Sequence, residues 1–231
     1  MSDFDPASLS ALEEPVRRYF NHALAPGTVV AGGRRFSMAG RIKVGGWLAF
    51  DAVQEMSDGH AFTWTARAGL GPIRPLHVVD RYRLGAGSTE GRFLGRLRFM
   101  HADDQDTARS AAGRAAVESI LDPTSLLPDN GVSWQAERDD LIVARFDVPP
   151  ERAEVRLCID ATGALRSAEI MRWGNVGQDG FGYIPFGGDI HAERRFGDIV
   201  LPSELTIGWW YGTARYRPFF QATIHDARGG G

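Results

Sequence analysis

The residues of this chain that could do chemistry are three carboxylates and three arginines. Asp51, Asp80 and Glu118 fall in segments that should face a core or a cavity. Asp80 stands between Val78 and Tyr82 on one face of an alternating strand, a charged residue in an apolar row. Carboxylates in such rows act as general acids or bases when desolvation favours their neutral form. They serve equally well as partners of buried arginines, because a buried charge must be paired. Arg67, Arg114 and Arg172 are the candidate partners. Arg114 and Glu118 are four residues apart on one helical segment and can pair; buried, that pair must also be hydrogen-bonded. An arginine aimed into a cavity would instead hold an anionic group by bidentate contacts.

The six tryptophans, Trp47, Trp64, Trp134, Trp173, Trp209 and Trp210, fall almost entirely in strand-like segments. They read either as core packing or as the aromatic lining of a small-molecule pocket. Trp209-Trp210-Tyr211 cannot place all its rings on one side of a sheet, and an exposed apolar patch there would mark a contact surface.

Other chemistries find little footing. His22, His60, His77, His101, His191 and His225 are scattered, without H-E-x-x-H spacing. Cys158 is the sole cysteine, so neither an internal disulfide nor a Cys-based zinc site can form. It shares a strand face with Arg156 and Asp160, and a nearby cation can lower a thiol pKa; packing is the plainer reading. There is no Walker pattern and no G-x-S-x-G elbow. Gly85-Ala86-Gly87 precedes another strand and reads as a hairpin turn. No cofactor and no metal is implied.

The elements that must position these residues alternate around one helix. A DTARSAAGRAAVESIL helix runs from about Asp106 to Leu121, closed by Asp122-Pro123. Ala108, Ala111, Ala112, Ala115 and Ala116 share a broad face that allows close approach to a sheet. Val117 and Leu121 point away from it, so more than one face should be covered. An earlier helix, about Glu13 to Leu24, carries Val16, Tyr19, Phe20, Ala23 and Leu24 as an apolar stripe. Strands are expected at 35–44, 47–56, 61–68, 76–84 and 89–100 before the central helix. After it they are expected at 132–137, 141–148, 154–160, 165–173, 191–196, 205–211 and 219–225. Glycine-rich links between them favour antiparallel neighbours. The expectation is a mainly β (α+β) fold: a single large curved antiparallel sheet, a half-barrel of about eleven strands. Both helices should pack on its concave face.

With 231 residues and no repeat or linker, the chain reads as one domain, its core from about 12 to 225. Residues 1–8 and 227–231 are expected as disordered tails. The net charge of −3 argues against a general nucleic-acid binder. No apolar run approaches the roughly 20 residues that span a bilayer, and the acidic start lacks the pattern of a signal peptide. Cytoplasmic localisation is the resulting expectation.

Several ordered segments resemble an uncharacterised bacterial family, a domain of unknown function. They are Leu12–Tyr19, Trp47–Gln54, Phe62-x-Trp64-x-Ala66-Arg67, Asp80-x-Tyr82-x-x-Gly85-x-Gly87 and Arg114-x-x-x-Glu118-x-x-x-x-Pro123. Asp160-x-x-Gly163, Arg172, a Pro185-Phe186-Gly187-Gly188 turn, Pro202 and Trp209-Trp210-x-Gly212 continue the series. The fold of that family resembles the periplasmic lipoprotein carriers of the LolA type. The resemblance implies a half-barrel that binds an acyl chain or another apolar ligand. This chain departs from it in lacking a signal peptide and a lipobox cysteine, and in having Ala115-Ala116 where larger apolar residues are expected.

These observations point to non-catalytic binding of a lipid or other apolar small molecule. The candidate cavity residues are Trp47, Trp64, Arg67, Asp80, Tyr82, Arg114, Glu118, Arg172 and Trp209. A protein-interaction scaffold is one alternative. A small-molecule enzyme using Asp80 or Glu118 as acid/base is the other.

Overall fold

Alternating side chains and glycine-rich turns give a chain made mostly of strand. The computed structural model describes residues 2–30, 32–177 and 180–229. In chain order it runs β1 (Ser2–Asp3), α1 (Glu14–Ala23), β2 (Val29–Val30), β3 (Arg34–Val44), β4 (Gly46–Ser57), β5 (Ala61–Leu70), β6 (Ile73–Arg83), β7 (Ala86–Phe93) and β8 (Leu97–Ala102). The second half is α2 (Gln105–Glu118), β9 (Ser133–Arg138), β10 (Leu141–Val148), β11 (Glu151–Ile159), β12 (Leu165–Gly174), β13 (Gly182–Phe196), β14 (Ile199–Trp209) and β15 (Arg217–Gly229).

Thirteen of the strands form one curved antiparallel sheet, open rather than closed into a barrel. Its order is β8-β7-β6-β5-β4-β3-β15-β14-β13-β12-β11-β10-β9. Each half of the chain is therefore a meander, and the seam between them is β3 against β15, with Ile42 opposite Phe220. The mainly β class and the curved sheet are as expected, with two strands more than the eleven anticipated.

The extra strands have local causes. Residues 89–100 were expected as one strand but fold back at Leu94-Gly95, both with positive φ (50° and 70°), the geometry that a tight hairpin turn demands. β13 begins at Gly182, not at His191. The Pro185–Gly188 stretch expected as a turn is extended within it, because its glycines sit where neighbouring backbone comes close. The expected disordered tails are also corrected. Ser2 and Asp3 pair with Val30 and Val29, and Phe4 and Leu9 are buried. Ala227, Arg228 and Gly229 extend the β15 ladder onto Phe36, Arg35 and Arg34. Met1, Gly230 and Gly231 lie outside the described residues.

Helix α1 buries the expected stripe, Val16, Tyr19, Phe20 and Ala23. Phe20 meets Trp134 of β9 edge-on, with ring centroids 5.3 Å apart. Helix α2 starts where the Asp104 carboxylate accepts from the Thr107 backbone N–H at 2.8 Å, a side-chain N-cap. After Glu118 it tightens into a 3-10 turn over Ser119–Leu121, ahead of Pro123. Its alanine face does what small residues permit. A β-carbon placed on Gly87 of β7 would stand 2.7 Å from Ala111 Cβ and 2.8 Å from Ala108 Cα. One turn on, a β-carbon on Gly113 would stand 2.9 Å from Arg172 Cγ on β12. The helix thus bridges the two meanders across the hollow of the sheet, and Val117 and Leu121 are buried as well. Among the described residues no helix is long and apolar enough to cross a membrane.

Candidate functional site

Pleat parity decides which side chains can meet beneath α2. The register Gln54↔Trp64↔Asp80 puts these three on one face, shared with Phe50, Ala52 and Ala66. The residues between them face outward. Arg67 lies opposite Asp51 and His77 on that outer surface and is exposed. Asp51 pairs there with Arg74. Trp47 shares the same outward parity and lies under the Arg41 guanidinium, 5.5 Å from Cζ. The expectations that Trp47, Arg67 and Asp51 line a cavity are therefore corrected: alternation from Trp64 places all three on the far side of the sheet.

The cavity itself has a volume of about 250 Å³. Helix α2 roofs it with Arg114, Val117 and Glu118, and the following turn adds Ile120 and Leu121. Gln54, Trp64 and Asp80 form one wall; Arg172, Phe186 and Trp209 face them from the other meander. The seam strand β15 supplies Phe219, Phe220 and Ile224 as an apolar floor. Tyr82 is buried below this space, stacked near Phe62 and donating its hydroxyl to the Pro149 carbonyl. It packs the core and does not line the cavity. Of two larger hollows, one over α1 (510 Å³) is polar-lined and one on the outer face near Arg41 (370 Å³) is of mixed lining; both are open to solvent.

The polar groups of the cavity divide into a closed set and an open one. Arg114 donates from Nη1 to Asp80 Oδ2 and from Nε to Glu118 Oε1, both at 2.7 Å. Gln54 Nε2 donates to the other Glu118 oxygen at 2.8 Å. Glu118 thus has both oxygens engaged. Among the described residues, Asp80 Oδ1 is buried without a hydrogen bond, and the Trp64 indole N–H is likewise unpartnered. Arg172 stands apart from the carboxylates. Its Nε donates to the Ser110 carbonyl at 2.9 Å and its Nη2 to the Ser110 hydroxyl at 3.2 Å. Its Nη1 makes no hydrogen bond among the described residues, and its guanidinium lies 4.5 Å from the Phe186 ring and 5.0 Å from Trp209. Burial, then repulsion from Arg114, pushes the Arg172 guanidinium down to about 9, while Glu118 and Asp80 work in the opposite direction. Arg114 moves the other way, because its two carboxylates outweigh its desolvation.

Of the nine expected residues, six come together: Trp64, Asp80, Arg114, Glu118, Arg172 and Trp209. Two partners were missed. Gln54, 1% exposed, has the same signal as Asp80, a polar side chain at inward parity in an apolar row. Ser110 gives no such signal, because it acts chiefly through its carbonyl. The Trp209-Trp210-Tyr211 patch expected of a scaffold does not form. Trp209 lines the cavity, Trp210 is buried, and Tyr211 donates to Asp189. Cys158 also differs from the reactive reading, since burial pushes its thiol up.

A model of a family of unknown function, DUF6920, matches residues 10–228. Among solved structures the chain is similar to a DUF1329 family protein from Desulfovibrio piger ATCC 29098. The identity is 9% and the TM-score 0.48, with 86% of each chain covered. No curated protein matches the chain.

Proposed function

The chain belongs to the DUF6920 family of unknown function, and from its cavity we propose that it binds a small amphiphile without catalysing a reaction. The apolar part of the ligand lies against Phe219, Phe220 and Ile224, and an anionic head, a carboxylate in the simplest case, faces Arg172. The observation that carries this reading is the unequal pairing of the two cavity arginines. Arg114 is bound by two carboxylates, whereas among the described residues Arg172 hydrogen-bonds only to the neutral Ser110, and its Nη1 makes no hydrogen bond. A desolvated cation without a contacting anion is costly, and a ligand anion would offset that cost with charge-assisted hydrogen bonds. A volume of about 250 Å³ has room for about eight groups the size of a methylene or a water. That favours a short acyl chain over a membrane phospholipid. A carrier role of the LolA type, as the sequence resemblance implies, is the finer form of the same proposal.

Native mass spectrometry of gently purified protein tests the reading. The expected result is retained extra mass, or uptake of short-chain and medium-chain carboxylates by delipidated protein. Protein that is clean and ignores a panel of acyl carboxylates, alcohols and lysolipids would sink it. The acid/base alternative has only Asp80 Oδ1 to work through, because Glu118 has no free oxygen.

A further inference from the structure

Antiparallel strands put alternate turns at the same end of a sheet, so the β3–β4, β5–β6 and β7–β8 turns are neighbours. Their tips are apolar and open to solvent. Val44 stands at the first; Leu70 (71% exposed) and Ile73 (72%) flank the second; Leu94 (66%) and Leu97 (69%) flank the third. The last two tips are tied together, since Leu94 donates its backbone N–H to the Pro75 carbonyl at 2.7 Å. The β7–β8 hairpin projects beyond the core, with Phe93, Phe99 and Met100 also exposed. Large apolar side chains gathered at one end of a sheet and left open to solvent mark an interaction site.

The acidic residues near these tips, Asp51 and Glu90, are each paired with an arginine, Arg74 and Arg92, and the charges left over are cationic. Lys43, Arg96 and Arg98 are exposed there and have no acidic partner within ion-pair distance among the described residues. This local excess stands out on a chain whose net charge is −3. Separate apolar points flanked by cations suit a surface into which points can sink, and not a flat protein face, which needs about 800 Å² of complementary area per partner. The edge strand β8 is also a poor template for another strand, because Arg98 and His101 lie on it and a bulge interrupts its ladder at Gly91/Arg92.

We propose that these three tips dock the protein on an anionic lipid surface, with Leu70, Ile73, Leu94 and Leu97 entering the headgroup boundary and Lys43, Arg96 and Arg98 meeting lipid phosphates. Apolar insertion and attraction to anionic lipid act together in such docking. The inference is independent of the cavity's ligand.

The test is flotation of the full chain with phosphatidylcholine vesicles, with and without phosphatidylglycerol, at low and high salt. The expected result is flotation with phosphatidylglycerol vesicles that weakens with salt, and a loss of at least about tenfold in binding for Leu94→Asn/Leu97→Ser at unchanged Tm. Asn suits the left-handed backbone at Leu94. Arg96→Glu/Arg98→Glu should lose the phosphatidylglycerol dependence. No flotation with any vesicle, or variants that float like the parent, would overturn the proposal. So would a concentration-dependent dimer on size exclusion that the same leucine variants abolish, since the tips would then be a contact between copies.

Discussion

Arg172 on β12 and Ser110 on α2 are joined twice, by the guanidinium Nε to the carbonyl at 2.9 Å and by Nη2 to the hydroxyl at 3.2 Å. One side chain therefore both anchors the roof of the cavity to the second meander and holds a positive charge inside it. Substitution of Arg172 removes both at once, and stability and binding report on them separately.

Arg172→Met keeps the length of the side chain and removes the charge. Replacing a desolvated cation by an apolar group of similar volume is often neutral or stabilising. The ligand-free variant should melt at or above the parent temperature. It should lose at least about tenfold in affinity for a short-chain carboxylate while binding the matching alcohol as before. Calorimetric titration of the acid and alcohol pair checks both arms; equal losses for the two would remove Arg172 as the reader of the head.

Arg114→Met should behave in the opposite way. It leaves Asp80 and Glu118 facing each other in a partly desolvated space, with side chains only 23% and 24% exposed. Breaking one member of such a set costs about 2–4 kcal/mol, read by urea unfolding. Adding Asp80→Asn and Glu118→Gln should recover most of the loss, because the unpaired charges are then gone.

Gly87→Ala tests the close seating of α2. The added carbon meets Ala111 and Ala108 at under 3 Å, both on a rigid helix, so the helix must shift. Overpacking of this kind costs about 1–3 kcal/mol, which lowers the Tm of a chain this long by about 2–4 °C per kcal/mol. Ligand uptake should fall with it, since the shift displaces Arg114 and Glu118.

His60 sets a pH dependence. Burial lowers its pKa below the ordinary value, against a smaller opposing pull from Asp122; its Nδ1 lies 2.8 Å from the Ser119 hydroxyl. Between that lowered value and the unfolded one of about 6.5, the unfolded chain binds more protons. The stabilisation is complete above about pH 6.5 and is lost as pH falls through that value toward the folded-state pKa. His60→Asn tolerates the left-handed backbone (φ 59°) and should unfold with a shallower pH dependence than the parent between about pH 7.5 and about pH 5.

The part of the site that could be read in advance is the part written in parity and helical spacing. Asp80 in its apolar row, and Arg114 four residues before Glu118, meet as the spacing requires. Arg67 faces outward for the same reason that Asp80 faces inward: it alternates with Trp64 and Ala66, and its charge suggested a partner that the pleat puts out of reach. Gln54 was readable by the Asp80 criterion. The Ser110 carbonyl was not, because a backbone acceptor leaves no mark on residue type. The start of β13 was hidden by Pro185 and its glycines, which resemble turn residues until the neighbouring strands are placed. The seam between β3 and β15 joins residues from opposite ends of the sequence, and local pattern carries no information about such a pairing.

That seam has a kinetic consequence. Each meander can assemble from neighbouring hairpins, but β3 and β15 meet only after the whole chain between them has been gathered, and contacts this distant form slowly. Helix α2 packs on Gly87 from one meander and on Arg172 from the other, so its seat is complete only when both meanders are in place. Binding competence therefore depends on the least local contacts of the fold. A chain stalled just before they form would present two long unpaired edges, the form most prone to join another chain.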